Sequence, residues 1–199
     1  MNSVLELSAT DGRWLRSIRT RAAIIGAWLE LIEQGDLSPT AKGVADRAGI
    51  GLRTVFQHFT DMNALHRAAG DEILSRIIPQ IGHVPADIPL AERIELAASS
   101  SSDAFEQITG LRRACERQEW SSDEIHGLID DWEAIGVAST SRVFATEFDA
   151  ADLADRETMM LAVDAILSWS NWNQLRQRRD LSIEQSRTVI RHSLAALLT

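Results

Sequence analysis

Residues 35–65 read GDLSPTAKGVADRAGIGLRTVFQHFTDMNAL, and this stretch predicts two short helices that meet at a tight turn. The hydroxyl groups within residues 38–40 can cap the start of the first helix. Gly49 can end that helix because glycine adopts positive φ without a steric penalty. A pair of short helices joined by a glycine-containing turn is the helix-turn-helix pattern, whose second helix enters the major groove of DNA.

The second predicted helix should bury Val55 and Phe59 and expose most of its other side chains. Arg53 and Gln57 lie four residues apart, hence on one side of the helix, and their donors and acceptors suit the edges of guanine and adenine. The predicted DNA-binding residues are Arg16, Thr40, Gly51, Leu52, Arg53, Thr54, Phe56, Gln57 and His58. From the pattern alone, the alternative is an ordinary helical hairpin inside an all-α protein.

This stretch resembles the DNA-binding segment of the TetR family of transcriptional repressors. The family pattern is a glycine-aromatic turn and a threonine, followed by I-A-x-x-A-G-V-S-x-x-T-x-Y-x-H-F-x-x-K-x-x-L. It is matched without a gap at Gly35, Thr40, Val44, Ala45, Ala48, Gly49, Ile50, Thr54, His58, Phe59 and Leu65. Residues 168–198 are similar, more loosely, to the last two helices of many members.

The resemblance implies a three-helix DNA-binding unit over residues 1–60 and a C-terminal helical bundle for ligand binding and dimerisation over 61–199, with the helix from residue 61 as the connection. It also implies a homodimer that binds a palindromic operator in double-stranded DNA. Two reading helices about 34–36 Å apart would fit successive major grooves. We therefore expect a transcriptional repressor that a small, mainly hydrophobic effector releases from its operator.

Three positions depart from the family pattern. Gly51 replaces the usual serine, Phe56 the usual tyrosine and Met62 the usual lysine. Each change removes a polar group that could contact a phosphate, so we expect weaker DNA binding with a smaller salt dependence. The alternative function is therefore a helical protein of the same fold that binds a small molecule or a partner and has weak or lost DNA binding.

The rest of the chain also predicts helices, about nine in total, because it lacks the alternating pattern and turn dipeptides of β-hairpins. We expect a first helix at about 14–34, with Ile18, Ala22, Ile25, Leu29 and Ile32 on its apolar face, and a fourth helix that Asp61 caps and that runs to about residue 78. Further helices are expected at about 90–118, 122–148, 155–178 and 183–198, the one at 90–118 interrupted near the serines at 99–102. The segment HVPADIP, residues 83–89, predicts a linker. Capping boxes are predicted at the starts of two helices, formed by Ser121 with Glu124 and by Ser182 with Gln185.

Charge is distributed unevenly along the chain of 199 residues, whose formal net charge is −9. Residues 1–70 hold eight basic and seven acidic side chains, whereas the remainder holds twelve basic and twenty-two acidic ones. This split is typical of a small polyanion-binding unit on a larger acidic body. The single cysteine excludes a disulfide scaffold, and the absence of a signal sequence or a long apolar segment predicts a cytoplasmic protein without a membrane partner.

Two further sites are predicted in the acidic part. Surplus apolar side chains on the last helices predict a dimer seam formed by Leu161, Ala165, Trp172, Ile190, Leu194 and Leu197. The alternative is that the apolar helix over residues 159–167 is a central core helix of a monomer. An excess of aromatic side chains predicts a ligand pocket formed by Phe105, Ile108, Arg112, Cys115, Trp120, Trp132, Phe144, Trp169 and Trp172. Taken singly, each pocket residue is interpreted first as an ordinary core residue, and only the set as a whole predicts a pocket.

The alternative from another functional class is an enzyme. Its candidate catalytic residues are the carboxylates near residues 130–133 and 149–155. Neighbouring residues on a helix point apart, however, and the sequence contains no Glu-x-x-His pair, no H-x-x-x-H pair, no phosphate-binding glycine loop and no G-x-S-x-G motif. We therefore expect a protein that is not an enzyme and that needs no cofactor and no metal ion.

Overall fold

The chain is all-α in the computed structural model, which describes the backbone of residues 3–81, 84–117 and 122–199. This confirms the predicted fold class. The ten α-helices of these ranges are α1 Ser3–Glu33, α2 Ala41–Ala48, α3 Leu52–His58, α4 Met62–Ile81, α5 Leu90–Glu116, α6 Asp123–Val143, α7 Ala145–Ala150, α8 Leu153–Ile166, α9 Trp169–Asn173 and α10 Ile183–Leu198. A π-helical turn, Gln174–Arg178, continues α9. None of the described helices combines the length and the apolar character needed to cross a bilayer.

Three helices differ from the prediction in their bounds. α1 begins at Ser3, well before the expected start near residue 14. The helix predicted over 155–178 is broken at Ser168, whose extended backbone lets its hydroxyl accept a hydrogen bond from the N–H of Asn171 at 3.1 Å. The helix predicted over 122–148 is likewise divided, at Phe144. Local side-chain and backbone geometry therefore adds two breaks that apolar periodicity does not reveal.

The expected interruption of α5 near residues 99–102 is wrong, because α5 is continuous from Leu90 to Glu116. The hydroxyl of Ser101 donates to the carbonyl of Ala97 at 2.6 Å, and that of Ser102 donates to the carbonyl of Ala98. Hydroxyls bonded back to the preceding turn can lie inside a helix.

Helix capping agrees with the sequence where the structure describes it. The capping box of Ser182 and Gln185 is confirmed at the start of α10. The other predicted box depends on Ser121, which lies outside the described residues; Ser122 accepts a 3.4 Å hydrogen bond from the N–H of Ile125 there. Asp61 accepts from the N–H of Ala64 at 2.8 Å and so caps α4, as we predicted.

The chain divides into two compact units, and the first comprises the described residues of Met1–Glu72 and Gly110–His126. In it α1 contacts α2, and α2 contacts α3. The predicted apolar face of α1 is buried only from Ile25 onward, since Ile18 is 46% exposed and Ala22 is exposed as well. Trp28 of α1 and His66 of α4 are both buried, with perpendicular rings whose centroids are 4.3 Å apart.

The second unit comprises the described residues of Ile73–Thr109 and Gly127–Thr199. Its core includes Phe144, Phe148, Val163, Trp172, Ile190 and Leu194. Trp172, Ile190 and Leu194 were predicted to form a dimer seam, and this is wrong for these three residues because all are 0% exposed within their own chain. Leu161 and Ala165 of the same prediction are exposed, and Leu197 is half-buried.

A buried ion pair ties the start of α5 to α7 inside the second unit. The guanidinium of Arg93 donates to both carboxylate oxygens of Glu147, at 2.7 and 2.6 Å, and to the carbonyl of Val143 at 2.7 Å. The side chains of Arg93 and Glu147 are only 6% and 14% exposed. Hydrogen bonding to Arg93 holds the pKa of Glu147 below the ordinary value of a glutamate.

Replacing Glu147 with glutamine should lower the free energy of unfolding at pH 7 by about 3 kcal/mol, because Arg93 stays buried without its counter-charge. A carboxylate with a lowered pKa stabilises the fold above its unfolded pKa and loses that contribution as the pH falls through its folded pKa. The difference from the unsubstituted protein should therefore shrink as the pH falls below about 4.3. Urea denaturation of both proteins at stepwise pH values measures this difference in the free energy of unfolding.

The matched control is Glu184→Gln, which removes an exposed carboxylate 2.7 Å from Arg191. Exposed pairs contribute less than about 1 kcal/mol. Equal losses in the two variants would contradict the interpretation of the Arg93–Glu147 pair as a buried clamp.

Candidate functional site

The turn between α2 and α3 is built on a glycine in the left-handed region. Gly49 has φ 67° and ψ 32°, and its N–H donates to the carbonyl of Asp46 at 3.3 Å. The N–H of Ile50 donates to the carbonyl of Ala45 at 3.0 Å, so the end of α2 is closed before α3 begins. The predicted glycine turn is therefore present where the sequence places it.

The two helices begin differently. The hydroxyl of Thr40 accepts a 3.1 Å hydrogen bond from the N–H of Gly43 and caps α2. Gly51 occupies the equivalent position before α3, and no side chain caps that helix. The backbone of Gly51 is extended, with φ −74° and ψ 144°, so this position does not require glycine. Because glycine replaces the serine of the family pattern at this position, α3 has no side-chain cap.

α3 buries one side and exposes the other. Val55 is 1% exposed and Phe59, just after the helix, is 3% exposed. Among the predicted DNA-binding residues, the exposed ones are Arg16, Thr40, Gly51, Leu52, Arg53, Phe56 and Gln57, and the half-buried ones are Thr54 and His58. The structure thus brings seven of the nine, residues 51–54 and 56–58, together on one short helix and its cap, with Thr40 and Arg16 supplied by other segments of the same unit.

Arg21 of α1 contacts the end of α3, and no sequence pattern reveals this role because the contact joins residues 37 positions apart. Its guanidinium donates to the carbonyl of His58 at 3.1 Å and lies 4.2 Å from the centre of the Phe59 ring. Arg16 is exposed on the same helix and donates to the carbonyl of Gly12 at 3.1 Å. At 1.5 Å per residue it lies about 7 Å along α1 from Arg21, so basic groups continue along α1 away from α3.

The predicted aromatic pocket residues of the second unit are largely engaged with the protein itself. The indole N–H of Trp172 donates to Glu106 at 2.9 Å, and that of Trp169 donates to Thr109 at 3.2 Å. Arg176 also donates to Glu106 at 3.0 Å. These bonds satisfy the polar atoms that make a buried tryptophan costly, which is the requirement of a core tryptophan.

The other predicted pocket residues are dispersed. Phe105 lies 6.4 Å from Trp172 between ring centroids, and Phe144 belongs to the same core cluster. Ile108 and Trp132 are buried in the second unit, whereas the buried residues Arg112 and Cys115 belong to the first. Trp120 lies outside the described residues.

A groove of about 250 Å³ lies between α6, α7 and α8 in the second unit, and it contains none of the predicted pocket residues. Its lining includes Val137, Phe148, Arg156, Glu157, Met160 and Asp164. The sequence signal that could have found it is the spacing on α8, where residues 153, 157, 160, 161 and 164 recur at three and four and so share one face.

Solved structures of other proteins have the same fold as this chain. A protein from Mesorhizobium loti assigned to the TetR family of transcriptional regulators superposes with a TM-score of 0.72 at 20% identity, over 92% of this chain and 96% of that one. A TetR-family regulator from Streptomyces coelicolor gives 0.72 at 19% identity, over 90% and 80% of the two chains. The chain has the TetR-family fold.

A third match with this fold is the multidrug binding protein EbrR, crystallised with imidazole, which has a TM-score of 0.59 and 16% identity over 90% of this chain and 94% of that one. No protein-family model and no curated protein sequence matches the chain. At these identities the comparisons support the fold, and the function is argued from the site.

Replacing Gly49 with alanine should lower the free energy of unfolding by about 1 kcal/mol or more, because a side chain in the left-handed region is strained. An added Cβ meets nothing within 4 Å, so the loss would come from backbone conformation alone. The matched control is Gly51→Ala, whose Cβ would contact Thr54 at an ordinary 3.8 Å and whose φ suits any residue. Equal losses in urea denaturation would contradict this account of the turn.

Proposed function

We propose that the protein is a DNA-binding transcriptional regulator that acts as a homodimer on a palindromic operator. The observation that carries the proposal is the exposed outer side of α3, where Arg53 and Gln57 lie on a helix fixed by the Gly49 turn. An exposed helix after such a turn has the shape that enters a major groove. The regulators of the same fold described above support this reading.

Within this proposal the exposed residues divide into two roles. Arg53 and Gln57 contact base edges, because their side chains can form paired hydrogen bonds with guanine and adenine. Thr40, Thr54 and His58 contact phosphates, and Arg16 adds a phosphate contact from α1. Such contacts orient the protein and contribute affinity without reading the sequence.

The proposed dimer uses the exposed side of α8 and the neighbouring side of α10. Leu161 is 65% exposed and Ala165 is exposed on α8, while Val189 is 40% exposed and Ala196 is exposed on α10. α8 and α10 contact each other within the second unit, so these residues can form one continuous surface. This surface replaces the buried part of the seam predicted from sequence.

We also propose that effector binding opposes DNA binding. A small effector bound in the C-terminal part would favour a dimer whose reading helices are wrongly spaced for the operator, and linkage requires the two ligands to weaken each other equally. α4 contributes residues to both units and could transmit the change. The multidrug binding protein EbrR, which has the same fold, supports the proposal of a small-molecule effector.

The second candidate function keeps this fold without strong DNA binding. It is favoured by the uncapped start of α3 at Gly51, by Phe56, which is 50% exposed and has no hydroxyl for a phosphate, and by Met62 in place of a lysine. In that case the protein would bind a small molecule or a partner protein.

Gel-shift titration against the upstream sequence of the protein's own gene distinguishes the two functions. Replacing Arg53 and Gln57 with alanine should cost about 1–3 kcal/mol per lost base contact and relax sequence preference. Arg16→Ala should weaken binding to all sequences alike and reduce the salt slope by about one unit. A protein that binds no duplex at low salt would support the second function.

Leu161→Glu should convert the dimer into a monomer, because it places a charge at the centre of the proposed seam, and operator affinity should fall with it. Light scattering coupled to size exclusion measures the mass. The matched control is Leu96→Glu, which changes a leucine of α5 that is 43% exposed outside the seam. A dimer that survives Leu161→Glu would contradict the proposed surface.

A further inference from the structure

The groove between α6, α7 and α8 has an apolar floor and an acidic wall. Val137, Phe148 and Met160 contribute apolar surface, while Glu157 and Asp164 contribute carboxylates from one face of α8. The two carboxylates are seven residues apart, or about 10 Å along the helix at 1.5 Å per residue, and Met160 lies between them. The wall of the groove is therefore apolar in the middle and negative at both ends.

No residue in the described part of the chain neutralises the carboxylates of this wall. Arg156, which also lines the groove, pairs with Asp149 at 2.7 Å. Asp164 and Glu157 form no ion pair with any residue that the structure describes. Burial of Asp164, which is half-buried, raises the pKa of its carboxyl group above the ordinary value of an aspartate. A carboxylate that has lost hydration without gaining a counter-charge is a favourable neighbour for an incoming cation.

We propose that this groove binds a small amphipathic organic cation, with its ammonium group against Asp164 and its apolar body against Val137, Phe148 and Met160. The groove volume of about 250 Å³ falls just under the range of about 300–1,000 Å³ that holds drug-sized molecules, so the ligand is a compact one. An anionic or purely apolar ligand would leave the carboxylates unpaired.

This proposal makes the effector positively charged and places it in the groove between α6, α7 and α8. Its role as an effector depends on the regulator function proposed above, whereas its binding to the groove requires only that the groove stays accessible beside Leu161, which lines it and also belongs to the proposed dimer surface. The two are measured separately, since ligand binding is tested on the protein without DNA and operator binding on the protein without ligand.

Isothermal titration calorimetry of the full chain with three matched probes tests the site: 2-phenylethylammonium, its neutral counterpart 2-phenylethanol and the anion phenylacetate. The ammonium should bind at least about tenfold more tightly than the alcohol at low salt, because it meets a partly desolvated carboxylate. Phenylacetate should bind most weakly. Asp164→Asn should remove the advantage of the ammonium over the alcohol, while the alcohol keeps its affinity.

Two further variants test whether the preference for the ammonium probe arises in the groove. Asp155→Asn removes an exposed carboxylate from α8 outside the groove lining, and it should keep the preference for the ammonium. Val137→Phe fills the groove at a position that is 41% exposed, so the fold should tolerate it, and binding of all three probes should fall together. Circular dichroism checks that each variant is folded.

Several results would overturn the proposal. The proposal fails if the unsubstituted protein binds none of the probes at millimolar concentration, binds the ammonium and the alcohol equally, or binds phenylacetate best. Asp164→Asn that keeps the ammonium preference, or Val137→Phe that leaves all affinities unchanged, would place the ligand elsewhere. Affinity for the ammonium that falls as the protein associates at higher concentration would show that a second copy of the chain covers the groove.

Discussion

The left-handed backbone of Gly49 is the constraint on which the candidate DNA-binding surface depends. The chain must end α2 and begin α3 within three residues, and only a residue that accepts φ 67° without strain closes the end of α2 in that space. With the turn in place, Val44 and Val55 from the two helices are both buried, at 0% and 1% exposure. The opposite side of α3 is then left outside, which is why Arg53 is exposed.

The two units are stabilised by different kinds of contact. In the first unit, apolar packing of α1, α2 and α3 is supplemented by Arg21, which contacts both a carbonyl and a ring at the end of α3. In the second unit, charged side chains join distant parts of the chain: Arg93 meets Glu147 in a buried pair, and the exposed Glu106 accepts from both Trp172 and Arg176. The buried Arg93–Glu147 pair specifies geometry strongly, because a missing partner would leave a charge without compensation.

Local signals predicted the first unit well and the second unit poorly. The glycine turn, the cap at Asp61 and the buried side of α3 follow from residues within four positions of each other, so the sequence contains them directly. The seam prediction was wrong for Ile190 and Leu194, which are buried in their own chain. The sequence pattern of an apolar stripe is the same whether the helix faces its own core or a partner. The contacts of Trp169 and Trp172 with α5 span 60 and 66 residues, and no sequence pattern predicts such pairs.

α8 presents three faces with three different environments, and this links the proposals about the second unit. Val163 faces the core, Ala165 lies on the proposed dimer surface and Asp164 lines the groove. Leu161 borders two of these, since it lines the groove and is also 65% exposed on the seam side. A cation held against Asp164 would therefore occupy a groove that a side chain of the proposed dimer surface also lines. Ligand binding could then change the geometry of the dimer through a single helix, without any rearrangement of the core.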